Sequence, residues 1–212
     1  TNLITLYIKR PLNDHEVTMN SLIPSILKMG NSKFETQAEI SKKFQELYGS
    51  SFGVGVGKLG EKQILSFKLA LTNDKYLNEK ITKEAFSLMM DIILNPLLED
   101  GGFKNKYLEI EKEVLKESIL SKINNKGTYA LERCIEEMCK NEKFSIYPLG
   151  TIEDLEEIDE NILYEHYKNI INTSPIEIFY VGQYDDELID YIKNTEKIDR
   201  NNIVEIPREV IN

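Results

Sequence analysis

Chemistry in this chain would have to come from a short supply of reactive side chains. There are two histidines, His15 and His166, and two cysteines, Cys134 and Cys139. A catalytic zinc takes two nearby imidazoles, a carboxylate and an open position for water. Neither histidine has a second one four residues on, nor an acid at the third or fourth place, so neither begins a helical ligand set. His15 falls in a loop pattern. His166, in YEHYK, sits in a helical pattern, where an ordinary structural role is the simpler reading. The cysteines, in RCIEEMCK, lie five apart on a helical pattern and so face different ways. They read as unpaired thiols of a reducing compartment, the cytoplasm.

The other candidates are carboxylates and glycines. YLEIEKEVLKESI sets Glu109, Glu113 and Glu117 on one helix face at four-residue steps. Two of them could act as ligand and helper, but Lys112 and Lys116 stand at the right spacing to neutralise them, which favours a solvated ion-pair face. GVGKLG, Gly55 to Gly60, satisfies G-x-G-x-x-G on paper. A dinucleotide site needs a helix opening at the last glycine, whereas here a second strand follows. The glycines read instead as a strand whose bare backbone lets another chain come close. No Ser-x-x-Lys, G-x-S-x-G or Cys-His spacing suggests a nucleophile. Asn172-Thr173-Ser174 matches a glycosylation sequon, with nothing else to support secretion.

These residues must be positioned by elements that the pattern outlines. Asn2–Arg10 alternates as a strand. Ser21–Met29 is a short helix in which Pro24 fits only near the first turn. Thr36 and Glu39 form a capping box for a helix to Tyr48, with Ile40, Phe44, Leu47 and Tyr48 on one face. Ser51–Leu71 forms two strands about a turn at Leu59–Lys62. Helices follow from about Asn78, with Ile81, Ala85, Phe86, Met89 and Ile93 inward, then over Phe103–Lys122, Thr128–Lys140 and Asn161–Asn172. Pro175–Gly182 is a strand and Asp185–Asn194 a closing helix. Strands at both ends with helices massed between them give a two-layer α+β domain over 1–200, with 201–212 a connector.

The totals are those of a globular domain, with 212 residues, 41% hydrophobic and 29% charged. A net charge of −10 speaks against nucleic-acid or anionic-membrane surfaces. It would suit a cationic peptide or partner, although acidic solvated surfaces are common. No apolar run approaches the roughly 18 residues of a membrane helix. The chain opens at Thr1 in a strand-like run, which suggests a piece of a longer protein.

The order of elements and several phrases resemble the M16 (pitrilysin / mitochondrial processing peptidase) family of zinc metallopeptidases. Lys28-Met29-Gly30 occupies the turn after that family's His-x-x-Glu-His helix. Ser21, Pro24 and Ser25 then fall where the first His, the Glu and the second His would stand. EIEKEVLKESI resembles the helix of the distal zinc ligand, placing Glu117 at the ligand position and Ile110 where the family has a supporting acid. YPLGTIEDLEEID and the ending in Val181-Gly182 resemble later family segments. The resemblance implies a mostly antiparallel sheet with helices on one face, the LuxS/metallohydrolase-like repeat, and an amino-terminal repeat of the zinc-less bacterial members. It implies no catalytic residue and no metal in this chain, and no enzyme activity on its own. Zinc belongs to a homologous active subunit or second repeat, with which this chain would form a heterodimeric peptide chamber. Gly53, Val54, Gly55, Val56 and Gly57, in the strand Phe52–Gly57, would accept an extended peptide. Two alternatives are an active peptidase whose metal lies in a missing repeat or partner, or is recruited by Glu113 and Glu117, and a purely structural dimerisation module.

Overall fold

The computed structural model describes residues 1–183, 186–194, 200 and 202–206. β1 (Asn2–Pro11) alternates strictly, with Ile4, Leu6 and Ile8 fully buried. This period of two drives one face of the strand into the core. β2 (Ser51–Leu59) and β3 (Lys62–Leu71) form a hairpin about Gly60, whose φ of 56° a glycine tolerates without cost. β3 pairs antiparallel with β1 from Asn2↔Leu71 to Pro11↔Lys62, and β6 (Ile176–Val181) pairs antiparallel on the other side of β1. The sheet order is β2-β3-β1-β6, so β2 and β6 are its edges.

Helices cover one face of the sheet. α1 (Val17–Met29) and α3 (Thr82–Leu94) pack Leu22, Ile23, Phe86 and Met89 against Leu6, Leu65 and Phe67 in a single apolar cluster. The opposite face of the sheet stays open, with Leu3 45% and Phe179 52% exposed. α1 begins four residues before the expected Ser21, which puts Pro24 in the helix interior rather than its first turn. Pro24 removes the hydrogen bond an amide there would give to Asn20. Nine of the thirteen residues of α1 are buried, and that burial outweighs one missing bond.

α2 (Gln37–Glu46) starts at the expected capping box: the Glu39 amide donates to Thr36 Oγ1 at 3.2 Å, and the Thr36 amide donates to Glu39 Oε2 at 3.0 Å. Thr36→Ala is expected to cost about 1 kcal/mol in urea unfolding. Ile40, Phe44 and Leu47 are buried as expected, but Tyr48 leaves that face, with a φ of 53° and 45% exposure. NPLLEDGG is a miniature hairpin, β4 (Leu98–Glu99) and β5 (Gly102–Phe103), so Phe103 precedes α4 (Asn105–Ser121) instead of opening it. α5 (Lys126–Met138), the short α6 (Ile152–Glu157), α7 (Glu160–Thr173) and α8 (Asp186–Asn194) follow among the described residues. Most of the expected connector, 201 and 207–212, lies outside the described residues. Among the described residues, no helix is long and apolar enough to cross a membrane.

Candidate functional site

α1, α4, β2 and Leu149 enclose an open cavity of about 140 Å³. Helical spacing puts Ser21, Pro24 and Ser25 on one face of α1, and all three line it. Gly55 and Val56 of β2 line it from the sheet side. The structure thus brings together the two regions that the sequence singles out separately. From α4 the lining side chains are Glu111, Val114, Leu115 and Ser118. This corrects the expected register: Glu117 lies on the exposed side of α4, and the pair seven apart that faces α1 is Glu111 and Ser118, not Ile110 and Glu117. One residue turns a helix by about 100°, enough to carry a side chain off the site. Glu113 is also exposed, while Lys112 pairs with Glu109 at 3.7 Å and donates to the Ile158 carbonyl.

Behind the cavity runs a buried polar chain that joins four elements. His166 Nε2 meets Asn20 Oδ1 at 2.8 Å, and Asn20 Nδ2 donates to Gln63 Oε1 at 2.7 Å. Gln63 Nε2 donates to the Val17 and Pro148 carbonyls at 3.0 and 2.7 Å, and Ser21 Oγ donates to Pro148 O at 2.8 Å. Ser21 is therefore engaged by the backbone of the 147–150 segment. Since the Asn20 amide nitrogen faces Gln63, its oxygen faces His166, which assigns a proton to Nε2. Burial lowers the His166 pKa to about 4, opposed by nearby Glu16 and assisted by Arg10. His15 sits in the turn before α1, its amide donating to Asn13 Oδ1. Nothing in the sequence marks this polar chain: Gln63 follows Glu61 and Lys62, and His166 has Glu165 and Lys168 beside it.

The carboxyl facing the cavity is Glu111. Half-burial raises its pKa, while Lys28 acting through space and a hydrogen bond with Ser25 pull it down. One carboxylate, serine hydroxyls and a proline do not fit a zinc ion, which requires deprotonated nitrogen, sulfur or carboxylate donors in a converging set. Among the described residues, no three His, Cys, Asp or Glu side chains stand together as metal ligands.

The β2 edge adds a second capability. Lys9 N donates to Pro175 O at 3.1 Å, so odd-numbered residues of β1 turn their main chain toward β6. Alternation across the antiparallel ladders then turns the main chain of Phe52, Val54, Val56 and Lys58 toward the open edge. Built Cβ atoms at Gly53 and Gly57 meet nothing within 4 Å, and one at Gly55 meets Ser66 Oγ at 3.3 Å. At Lys58 the side chain is tied down: its ammonium donates to the Phe144 and Ile146 carbonyls at 2.6 and 3.0 Å and lies 4.5 Å from the Phe144 ring centre. Burial at that clip lowers the pKa of the lysine.

A four-stranded antiparallel sheet with helices on one face, and a first helix that presents Ser21, Pro24 and Ser25 to the cavity, make up a fold similar to that of a putative M16-like peptidase from Alicyclobacillus acidocaldarius, with a TM-score of 0.65 at 13% identity over 95% of this chain and 46% of that one. Among curated proteins the chain is similar to the probable inactive metalloprotease YmfF of Bacillus subtilis (strain 168), 30% identical over 214 residues, covering 95% of this chain and 50% of that protein. Among solved structures, a conserved protein from Enterococcus faecalis V583 superposes with a TM-score of 0.86 at 26% identity, over 99% of this chain and 52% of that one. Pitrilysin shares the fold, with a TM-score of 0.65 at 15% identity, over 100% of this chain and 22% of its own. No protein-family model matches the sequence. The chain thus spans about half the length of YmfF and of the Enterococcus protein.

Proposed function

We propose that this chain is a catalytically silent M16-type unit that forms one wall of a peptide-binding chamber. A homologous zinc-bearing subunit, or a second repeat, completes that chamber and performs any hydrolysis. The observation that carries this reading is the meeting of Ser21, Pro24 and Ser25 with the open β2 edge across one cavity. A peptide held along that edge would meet hydroxyls and a pyrrolidine ring in place of groups that could cut it. The extended peptide pairs along Gly53–Gly57, using the main-chain groups of Phe52, Val54 and Val56. Zinc belongs to the partner alone. The half-length match to relatives supports a second unit of similar size. A net charge of −10 turns away nucleic acid, and the free thiols of Cys134 and Cys139 favour the bacterial cytoplasm.

The test is to mix the purified chain with a zinc-bearing homologue from the same source and follow cleavage of unstructured peptides. Proteolysis in the mixture and not with the chain alone is the expected result. Amide exchange supplies the local readout, with added protection over Phe52–Gly57 when peptide is present. Chelator-sensitive cleavage by the chain alone, or stoichiometric zinc retained through dialysis, would overturn the silent assignment. A partnered protease that works equally well with β2 unprotected would leave a structural role only.

A further inference from the structure

We propose that the cavity beside the β2 edge receives the lysine side chain of an extended peptide, its aliphatic stem between α1 and α4 and its ammonium on Glu111. The inference rests on the peptide-binding reading above and names the peptide that reading lacks.

Size narrows the ligand first. At about 140 Å³ the cavity is well below the roughly 300–1,000 Å³ of small-molecule and cofactor sites, and it suits one side chain. Direction comes next. Phe52 of β2 stacks on Phe44 at 5.4 Å and on Phe67 at 6.5 Å, so the even-numbered residues of β2 face the helices. Residues directly opposite on paired strands share a face. A peptide residue opposite Val56 therefore points its side chain into the cavity.

The lining then sets the chemistry. Leu22, Pro24, Val56 and Val114 supply apolar walls for a methylene stem. Glu111, Ser25 and Ser118 supply oxygens, and the Ser118 hydroxyl gives its proton to the Val114 carbonyl at 2.8 Å, leaving its lone pairs available. An ammonium has three donors and no acceptor, the complement of such a set. Lys28 acts on Glu111 through space from outside the lining, and a neutral side chain would bury the carboxylate further without adding a partner to it. Among the described residues, Glu111 is the one carboxylate in the lining and Ser25 and Ser118 add single hydroxyls, so the set suits a compact ammonium that separate oxygens can share better than the two-point grip of a guanidinium.

The experiment is fluorescence anisotropy on the full chain with twelve-residue unstructured peptides that differ at one central position, lysine, arginine or norleucine. Lysine is expected to bind about tenfold tighter than norleucine, with arginine between them. Glu111→Gln is expected to erase the difference between the lysine and norleucine peptides, because the ammonium loses its carboxylate and norleucine no longer buries one. Glu117→Gln, which removes the same charge from the exposed side of α4, is expected to keep the preference. Equal binding of the three peptides, or a lysine preference that survives Glu111→Gln, would overturn the inference while leaving peptide binding intact. Failure of every peptide to bind would overturn the peptide-binding reading itself, and the inference with it.

Discussion

Gly150→Ala is expected to lower the unfolding free energy by about 3 kcal/mol or more, one of the larger effects available to a single methyl group. Gly150 has a φ of 83°, and a Cβ there would lie 1.9 Å from Thr18 Oγ1 and 2.7 Å from Thr18 Cα. Rotating Thr18 relieves the first contact but not the second, which is backbone inside α1. The segment must then lift away from the helix. Lifting it breaks the bond from the Thr151 amide to Thr18 Oγ1 at 3.3 Å and the one from Thr18 Oγ1 to Asp154 Oδ2 at 3.2 Å. It also pulls the Pro148 carbonyl from Ser21 and Gln63. Gly49→Ala is the control, because Gly49 has a φ of 70° and a built Cβ there meets nothing within 4 Å. That variant is expected to lose only the left-handed backbone cost of about 1 kcal/mol. Urea unfolding of both variants separates the steric term from the conformational one. Equal losses would show that the 147–150 segment is not pressed against α1.

Acidification is expected to remove a further block of stability through His166. The folded-state pKa is about 4, below the ordinary value of 6.5, so the unfolded chain takes up the proton first as pH falls. The stabilisation is fully present above pH 6.5, declines as pH drops toward 4, and changes no further below that. At 1.36 kcal/mol per pKa unit, the shift from 6.5 to about 4 corresponds to about 3 kcal/mol. The cause is burial, which makes an imidazolium costly in the space between α1 and α7. Glu16, which would favour the charge, is already held by Arg10 at 2.8 Å. Exposed carboxylates titrate in the lower part of the same window, so the measurement compares wild type with His166→Gln, which keeps an amide donor toward Asn20 and does not titrate. Thermal unfolding from pH 7 to 4 should fall more steeply in wild type. Parallel curves would mean that His166 carries no such shift.

The strongly periodic parts of this fold were legible in the sequence, for a physical reason. β1 alternates because one face is solvent-exposed, and α3 places Ile81, Ala85, Phe86, Met89 and Ile93 inward because a helix must bury one stripe. α1 hid its first turn because nearly all of it is buried, so no polar stripe marks where it begins. The two-residue strands β4 and β5 are too short to show a period. Ser21, Pro24 and Ser25 were singled out by the resemblance to the family's zinc helix, and their spacing put them on one face, since residues three and four apart share a helix face whatever surrounds them. The partner face on α4 was not, because spacing along one helix leaves its rotation about the axis undetermined, and Glu111 with Ser118 fits the same seven-residue interval as Ile110 with Glu117. The polar chain was invisible for another reason. Asn20 lies 43 residues from Gln63 and 146 from His166, so only the folded topology brings their amides and ring together.

The clip at Lys58 bears on how copies of this chain behave toward one another. A bare sheet edge is a template on which identical molecules can stack without limit, the route to insoluble fibres. Here the Lys58 side chain crosses to the 144–146 carbonyls at one end of β2, so a second copy adding to that edge would have to pass this contact to extend beyond the tract from Phe52 to Val56.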